Sequence, residues 1–127
     1  MKVIANIFIE GPSNKLLVRY DESGLKLPSI IITNDYLIKD HLTTMLIGIG
    51  ISDVVEDDIV LYNFDDTMEN GEHIIYATFK VRTRIGSVQD AFNCKFLTLG
   101  SLKDSLDKFA LQYDSFVTRL YILNPYS

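Results

Sequence analysis

The stretch Leu25–Ile51, LKLPSIIITNDYLIKDHLTTMLIGIGI, constrains the fold more than any other part of the chain. It runs from a Leu27-Pro28 turn through a short β-branched strand to Asn34-Asp35. Both of these are good helix-capping types, because their side-chain oxygens accept from free backbone N–H groups. Ile38, Leu42, Met45 and Ile49 then fall at i, i+4, i+7 and i+11, with Leu37 and Leu46 widening the same stripe. That spacing predicts an amphipathic helix over about 36–48. Gly48 weakens the last turn, and Gly50 sits where a left-handed C-terminal cap would close it.

A chain of 127 residues is expected to form a single domain, 1–127. Apolar residues make up 47% of it, too many for a disordered chain. No apolar run reaches the ~18 residues that span a bilayer. The N-terminus, MKVIANIFIEG, alternates and then turns, so it lacks the apolar block of a signal peptide. With Cys94 as the one cysteine, neither an internal disulfide nor a cysteine metal cluster can form. These features fit a reducing, cytoplasmic setting. The net charge of −5 and the scattered basic residues speak against nucleic-acid binding. A small phosphorylated ligand needs only one or two arginines and is not excluded.

Before the central stretch, Lys2–Ile9 reads as an inner strand apolar on both faces. Gly11–Asn14 reads as a turn, and Leu16–Tyr20 as the second arm of a hairpin with Arg19 pointing outward. Asp21–Gly24 is a loop. After the helix, Glu56-Asp57-Asp58 lacks calcium-loop spacing and reads as a solvated loop. Ile59–Asn63 is a strand, and Asp65–Glu72 a polar connector tipped by Asn70-Gly71, a strong hairpin signal. His73–Arg84 is the longest strand, with Ile75, Ala77, Phe79 and Val81 on one face and Tyr76, Thr78, Lys80 and Arg82 on the other. The second face could wall a ligand site or simply meet solvent. His41 and His73 read as surface residues, and no catalytic triad is visible. Gly86–Asn93 is a loop and Cys94–Leu99 a short strand. Ser101 with Asp104 resembles a capping box, and Leu102, Leu106, Phe109 and Tyr113 predict one amphipathic helix behind it. Asp114 or Ser115 would cap a last short helix.

The Leu-Pro strand, the strand–loop–helix spacing and the final Gly50-Ile51, flanked by an N-terminal hairpin and by FLTLGSLKD near the C-terminus, resemble the Nudix family. The resemblance implies an α/β (α+β) fold, a three-layer α/β/α sandwich with a mixed sheet. It also implies a helix that carries an arginine and several glutamates to hold Mg²⁺ against a pyrophosphate. Aligned on Gly50-Ile51, those positions hold Thr43, Thr44, Ile47 and Gly48. None of these can replace a carboxylate ligand. Ser29-Ile30 and Thr33–Asp35 likewise depart from the motif. An ordinary strand–turn–helix connection in another α/β domain is the plainer alternative.

Two functions follow from this reading. One is a domain without hydrolase activity, metal or cofactor, kept as a binding or regulatory module. Its ligand would be nucleotide-like, with Arg19, Tyr76 and Arg82 as contacts, or its face would take a protein or a second copy of the chain. The other is a metal-dependent pyrophosphohydrolase built on non-standard carboxylates such as Asp35, Asp40, Glu56 or Asp65.

Overall fold

The computed structural model describes residues 1–33, 37–88 and 93–124. Its central element is strand β1 (Lys2–Gly11), whose side chains are buried on both faces from Ala5 to Ile9. Three strands flank it. β2 (Lys15–Asp21) follows a tight turn over residues 12–14 and pairs antiparallel with it at Glu10 and Gly11. After β3 (Gly24–Lys26), β4 (Ser29–Ile32) pairs antiparallel with the first half of β1, from Val3 to Asn6. Helix α1 (Ile38–Gly48) follows, then β5 (Val60–Glu69) and β6 (Glu72–Arg82). β6 runs parallel to β1 along nine residue pairs, from Lys2–Ile74 to Glu10–Arg82. β7 (Cys94–Thr98) pairs with β2, and α2 (Leu99–Lys103) and α3 (Gln112–Leu123) end the described chain. The strand order β3-β2-β1-β6-β5, with β4 and β7 as side branches, is a mixed sheet.

Helices cover both faces of that sheet. On one, Leu42, Leu46 and Ile49 of the α1 region pack with Ala5, Ile7, Ile9, Leu17, Phe79 and Val81. On the other, Tyr113, Val117 and Tyr121 of α3 and Leu102 of α2 pack with Phe8, Leu16, Val18 and Tyr76. The alternation of β1 feeds the two layers in turn, since odd and even residues of a strand point to opposite faces. Each fully buried Leu or Ile contributes about 1.5–3 kcal/mol of transfer free energy, which fixes α1 against the sheet through Leu42 and Leu46. No helix among the described residues is long and apolar enough to cross a membrane.

Several local expectations need correction. The expected cap at Asn34-Asp35 lies outside the described residues. Leu37, expected on the apolar stripe of α1, is 66% exposed at the N-cap position. Gly50 does adopt the left-handed conformation, at φ 95°. Most of the supposed connector Asp65–Glu72 is strand: β5 continues to Glu69 and only Asn70-Gly71 turns. Polar residues there alternate along an edge strand, which composition alone cannot distinguish from a loop.

The single helix expected behind Ser101 is broken in two. Phe109 is extended (φ −70°, ψ 133°) and lies beside Leu25 of β3, with the Ala110 N–H donating to the Leu25 carbonyl at 2.9 Å. Residues 109–110 thus satisfy the free edge of β3, and Leu102 and Tyr113 reach the same core from different helices. Gly24 permits this approach, because a Cβ there would stand 2.3 Å from the Lys108 carbonyl oxygen. The cap of α2 is Thr98, whose hydroxyl accepts from the Ser101 N–H at 3.1 Å, so Ser101 lies inside the helix. Asp114 caps nothing; it is buried within α3.

Candidate functional site

A cleft of about 570 Å³ opens between β4 and α1, lined by Ile30, Asp40, His41, Thr44 and Met45. The local sequence explains why it is open. Leu42 and Leu46 turn into the core, which leaves the residues one and two positions before each of them on the flank of the helix that borders β4. Thr43 and Thr44 donate their hydroxyls to the carbonyls four residues back, to Lys39 at 2.8 Å and Asp40 at 3.0 Å. Threonine in mid-helix commonly bonds in this way, and the bond occupies its one proton. Behind the helix start, the 3₁₀ turn Glu56–Asp58 brings Glu56 against Asp40. The hydrogen bond and the like charge of Asp40 raise the Glu56 pKa, aided by Asp57 and opposed by Lys39. Two carboxylates in contact hold a proton between them more readily than two charges.

Comparison with known proteins gives structural neighbours only. No family model matches the chain, and no curated protein matches it. Among solved structures, the C-terminal domain of mouse MUTYH, crystallised in complex with human PCNA, superposes with a TM-score of 0.74 at 11% identity, over 100% of this chain and 91% of that one. The MutT protein of Methanosarcina mazei Go1 gives 0.69 at 12%, over 98% and 95%. A NUDIX hydrolase from Nitrosomonas europaea gives 0.69 at 10%, over 93% and 87%. The chain has a Nudix-like fold.

A Nudix-like fold implies a divalent metal, and the side chains beside α1 do not fit one. A hard cation of the Mg²⁺ type needs several oxygen ligands converging on it. Here Thr43 and Thr44 face helix carbonyls with their hydroxyl protons. Ile47 is an exposed apolar side chain, and Gly48 has none. The remaining pair, Asp40 and Glu56, supplies two carboxylates, and Asp40 raises the Glu56 pKa. Among the described residues no three His, Cys, Asp or Glu side chains are grouped so as to hold a metal. Of the alternative carboxylates, Asp35 lies outside the described residues. Asp65 pairs with Tyr76 in the β5–β6 register and acts on Tyr113, which puts it on the α3 face of the sheet, away from Asp40.

The three contacts expected from sequence do not converge. Arg19 lines a recess of about 300 Å³ with Asp21, Lys26, Ser29 and Asn93. Arg82 stands at the far end of β6, between a recess with Glu10 and Lys15 and another with Asp53 and Arg84. Tyr76 is not on a polar wall. Its ring stacks on Tyr113 at 3.8 Å between centroids, and its hydroxyl donates to Glu69 at 2.8 Å. Burial and the Glu69 bond both push its pKa up. The first half of the face read as polar or solvent-facing, Tyr76 and Thr78, is buried beneath α3, whereas Lys80 is half-buried and Arg82 exposed.

His41 walls the cleft, and His73 meets Asp66 in an exposed pair. Sequence reasoning missed the roles of Ile30 and Met45. Both fit the apolar stripes of their elements, and nothing local shows that the space between them stays open.

Proposed function

We propose that this chain is a Nudix-fold binding module that performs no pyrophosphate hydrolysis, with the cleft beside α1 as its small-ligand site. The observation that carries the reading is what stands beside the cleft: α1 threonine hydroxyls turned to the helix backbone, and no group of three His, Cys, Asp or Glu side chains among the described residues that could hold a metal. Asp40 at the cleft repels a polyphosphate, while Ile30 and Met45 offer apolar contact. The ligand best suited is therefore the uncharged, nucleoside-like part of a nucleotide-like molecule, packed on those side chains and hydrogen-bonded by His41.

The test is a hydrolysis panel of nucleoside triphosphates, dinucleoside polyphosphates, ADP-ribose and nucleotide sugars with Mg²⁺ or Mn²⁺. No turnover is expected. Metal-dependent turnover abolished by EDTA, and lost again in Asp40→Asn and Glu56→Gln, would overturn the reading in favour of relocated carboxylates. The same compounds and the free nucleosides then go into thermal unfolding with EDTA present. A ligand at a hundred times its Kd adds about 2.7 kcal/mol of stability.

A second reading, a protein-interaction module, is supported by one separate observation. The outer strand β5 carries Leu61, Phe64 and Met68 exposed at 56%, 61% and 63%. The mouse MUTYH domain, with which this chain shares its fold, was crystallised with a protein partner.

A further inference from the structure

We infer that β5 is a docking edge for an extended protein segment that alternates apolar with lysine or arginine residues, and that this segment adds to the sheet as its next strand.

β5 ends the sheet and, among the described residues, pairs only with β6. Among the described residues no strand pairs with its other edge, the template that strand addition uses. The register shows what each face of that edge presents. Leu61, Phe64, Asp66 and Met68 lie opposite Phe79, Ala77, Ile75 and His73, on the α1 face. Asn63, Asp65 and Thr67 lie opposite Thr78, Tyr76 and Ile74, on the α3 face, where Glu69 meets the Tyr76 hydroxyl. A bulge at Tyr62 sets the phase of the two rows. One face of the edge therefore carries Leu61, Phe64 and Met68 with Asp66 among them, and the other carries the acids Asp65 and Glu69 between Asn63 and Thr67. A strand of alternating apolar and basic residues complements both rows at once, because its own side chains alternate with the same period.

The acids also say what does not dock. Asn70 and Gly71, at φ 52° and 79°, form a two-residue hairpin tip, so Glu69 and Glu72 close the ladder. By the alternation of an antiparallel ladder, the backbone groups of Phe64, Asp66 and Met68 then face outward. The outward Asp66 N–H is covered by the Asp65 carboxylate at 2.9 Å. A cation on the incoming strand draws that carboxylate away and frees the N–H for the ladder. A second copy of this chain on the same edge would bring the acidic run Asp65, Asp66 and Glu69 against the same run of its partner, and like charges opposed across a ladder are destabilising. The docking edge is independent of the α1 cleft, so it stands or falls apart from the small-ligand reading.

The experiment uses the intact chain and an eight-residue peptide of alternating valine and lysine, capped at both ends. Titration calorimetry is expected to show binding that weakens as salt rises. Amide exchange is expected to slow at residues 64–68. Asp65→Lys and Phe64→Lys should each weaken binding at least tenfold while leaving the melting curve cooperative. Met68→Lys serves in place of Phe64→Lys if that variant does not fold. The proposal is overturned by equal binding of a valine–glutamate peptide, by binding unchanged in Asp65→Lys, or by exchange protection outside β5. It is also overturned if sedimentation shows the chain alone forming a dimer that Phe64→Lys dissolves.

Discussion

Asp114 is a carboxylate in the buried row of α3, 2% exposed between Tyr113 and Val117. Its two oxygens are satisfied from far along the chain: Asn6 Nδ2 donates at 3.2 Å and the Leu27 N–H at 3.1 Å. Asn6 in turn accepts from Thr78, whose hydroxyl also meets the Tyr113 hydroxyl at 2.9 Å. Burial pushes the Asp114 pKa up to about 6, against the pull of those two donors and of Lys26. The folded value stands above the unfolded one. Its stabilising share is therefore full below about pH 3.9 and is lost as pH rises through about 6. The raised Glu56 acts in the same direction, while Asp53, held low by Thr83 and the Arg84 N–H, stabilises from its unfolded pKa upward. Urea unfolding measured from pH 4 to 7 should thus show a falling Asp114 contribution, and Asp114→Asn should flatten the slope. An unchanged slope in the variant would mean that the carboxylate titrates normally. None of this was legible in the sequence. Asn6 and Asp114 stand 108 residues apart, and a polar residue at a helix start reads locally as a cap.

At the scale of elements, the chain from Thr98 to Leu123 shows where periodicity succeeds and fails. Leu102, Phe109 and Tyr113 do share one core, as their spacing implies. They do so from two helices and an extended link, because the edge of β3 offers backbone partners that a continuous helix would leave unmet. The hydrogen-bonding demand of a strand about eighty residues upstream is invisible to a local window. The short α2 then depends on its cap: Thr98→Ala should cost about 1 kcal/mol, read as a shift of the denaturation midpoint at constant slope. Thr98→Ser should recover most of it. The opposite error occurred at β5, where alternating acids on an edge strand resemble a loop. By contrast, β1, β2, β4, β7 and α1 were legible, because strong apolar patterns there coincide with turn residues such as Asn14 and Gly50. The cleft was legible only as a place where carboxylates are missing. Its open volume arises between elements and leaves no mark on either.

As a whole, the molecule is one sheet carrying two cores that touch opposite faces. Leu46 belongs to the first and Val117 to the second, and both are fully buried. Leu46→Ala should cost about 2–5 kcal/mol, and Val117→Ala somewhat less because fewer carbons are removed. With the sheet between them the sites share no partner, so the double variant should equal the sum within about 0.5 kcal/mol. A larger coupling in equilibrium denaturation would show that the sheet transmits strain from one layer to the other.

The placement of β1 carries a consequence for how such a chain is made. Val3 through Glu10 find their parallel partners at Ile75 through Arg82, about seventy residues later. On the ribosome, the strand destined for the centre of this sheet emerges before the other strands and waits longest for its parallel neighbour. In the interval it has only β2 and β4 to lie against, one at each end. Closing that long loop sets a slow step. Until then the β6-facing side of IANIFIE is a sticky ribbon, so the pace of synthesis and the chaperones at the exit tunnel bear directly on yield.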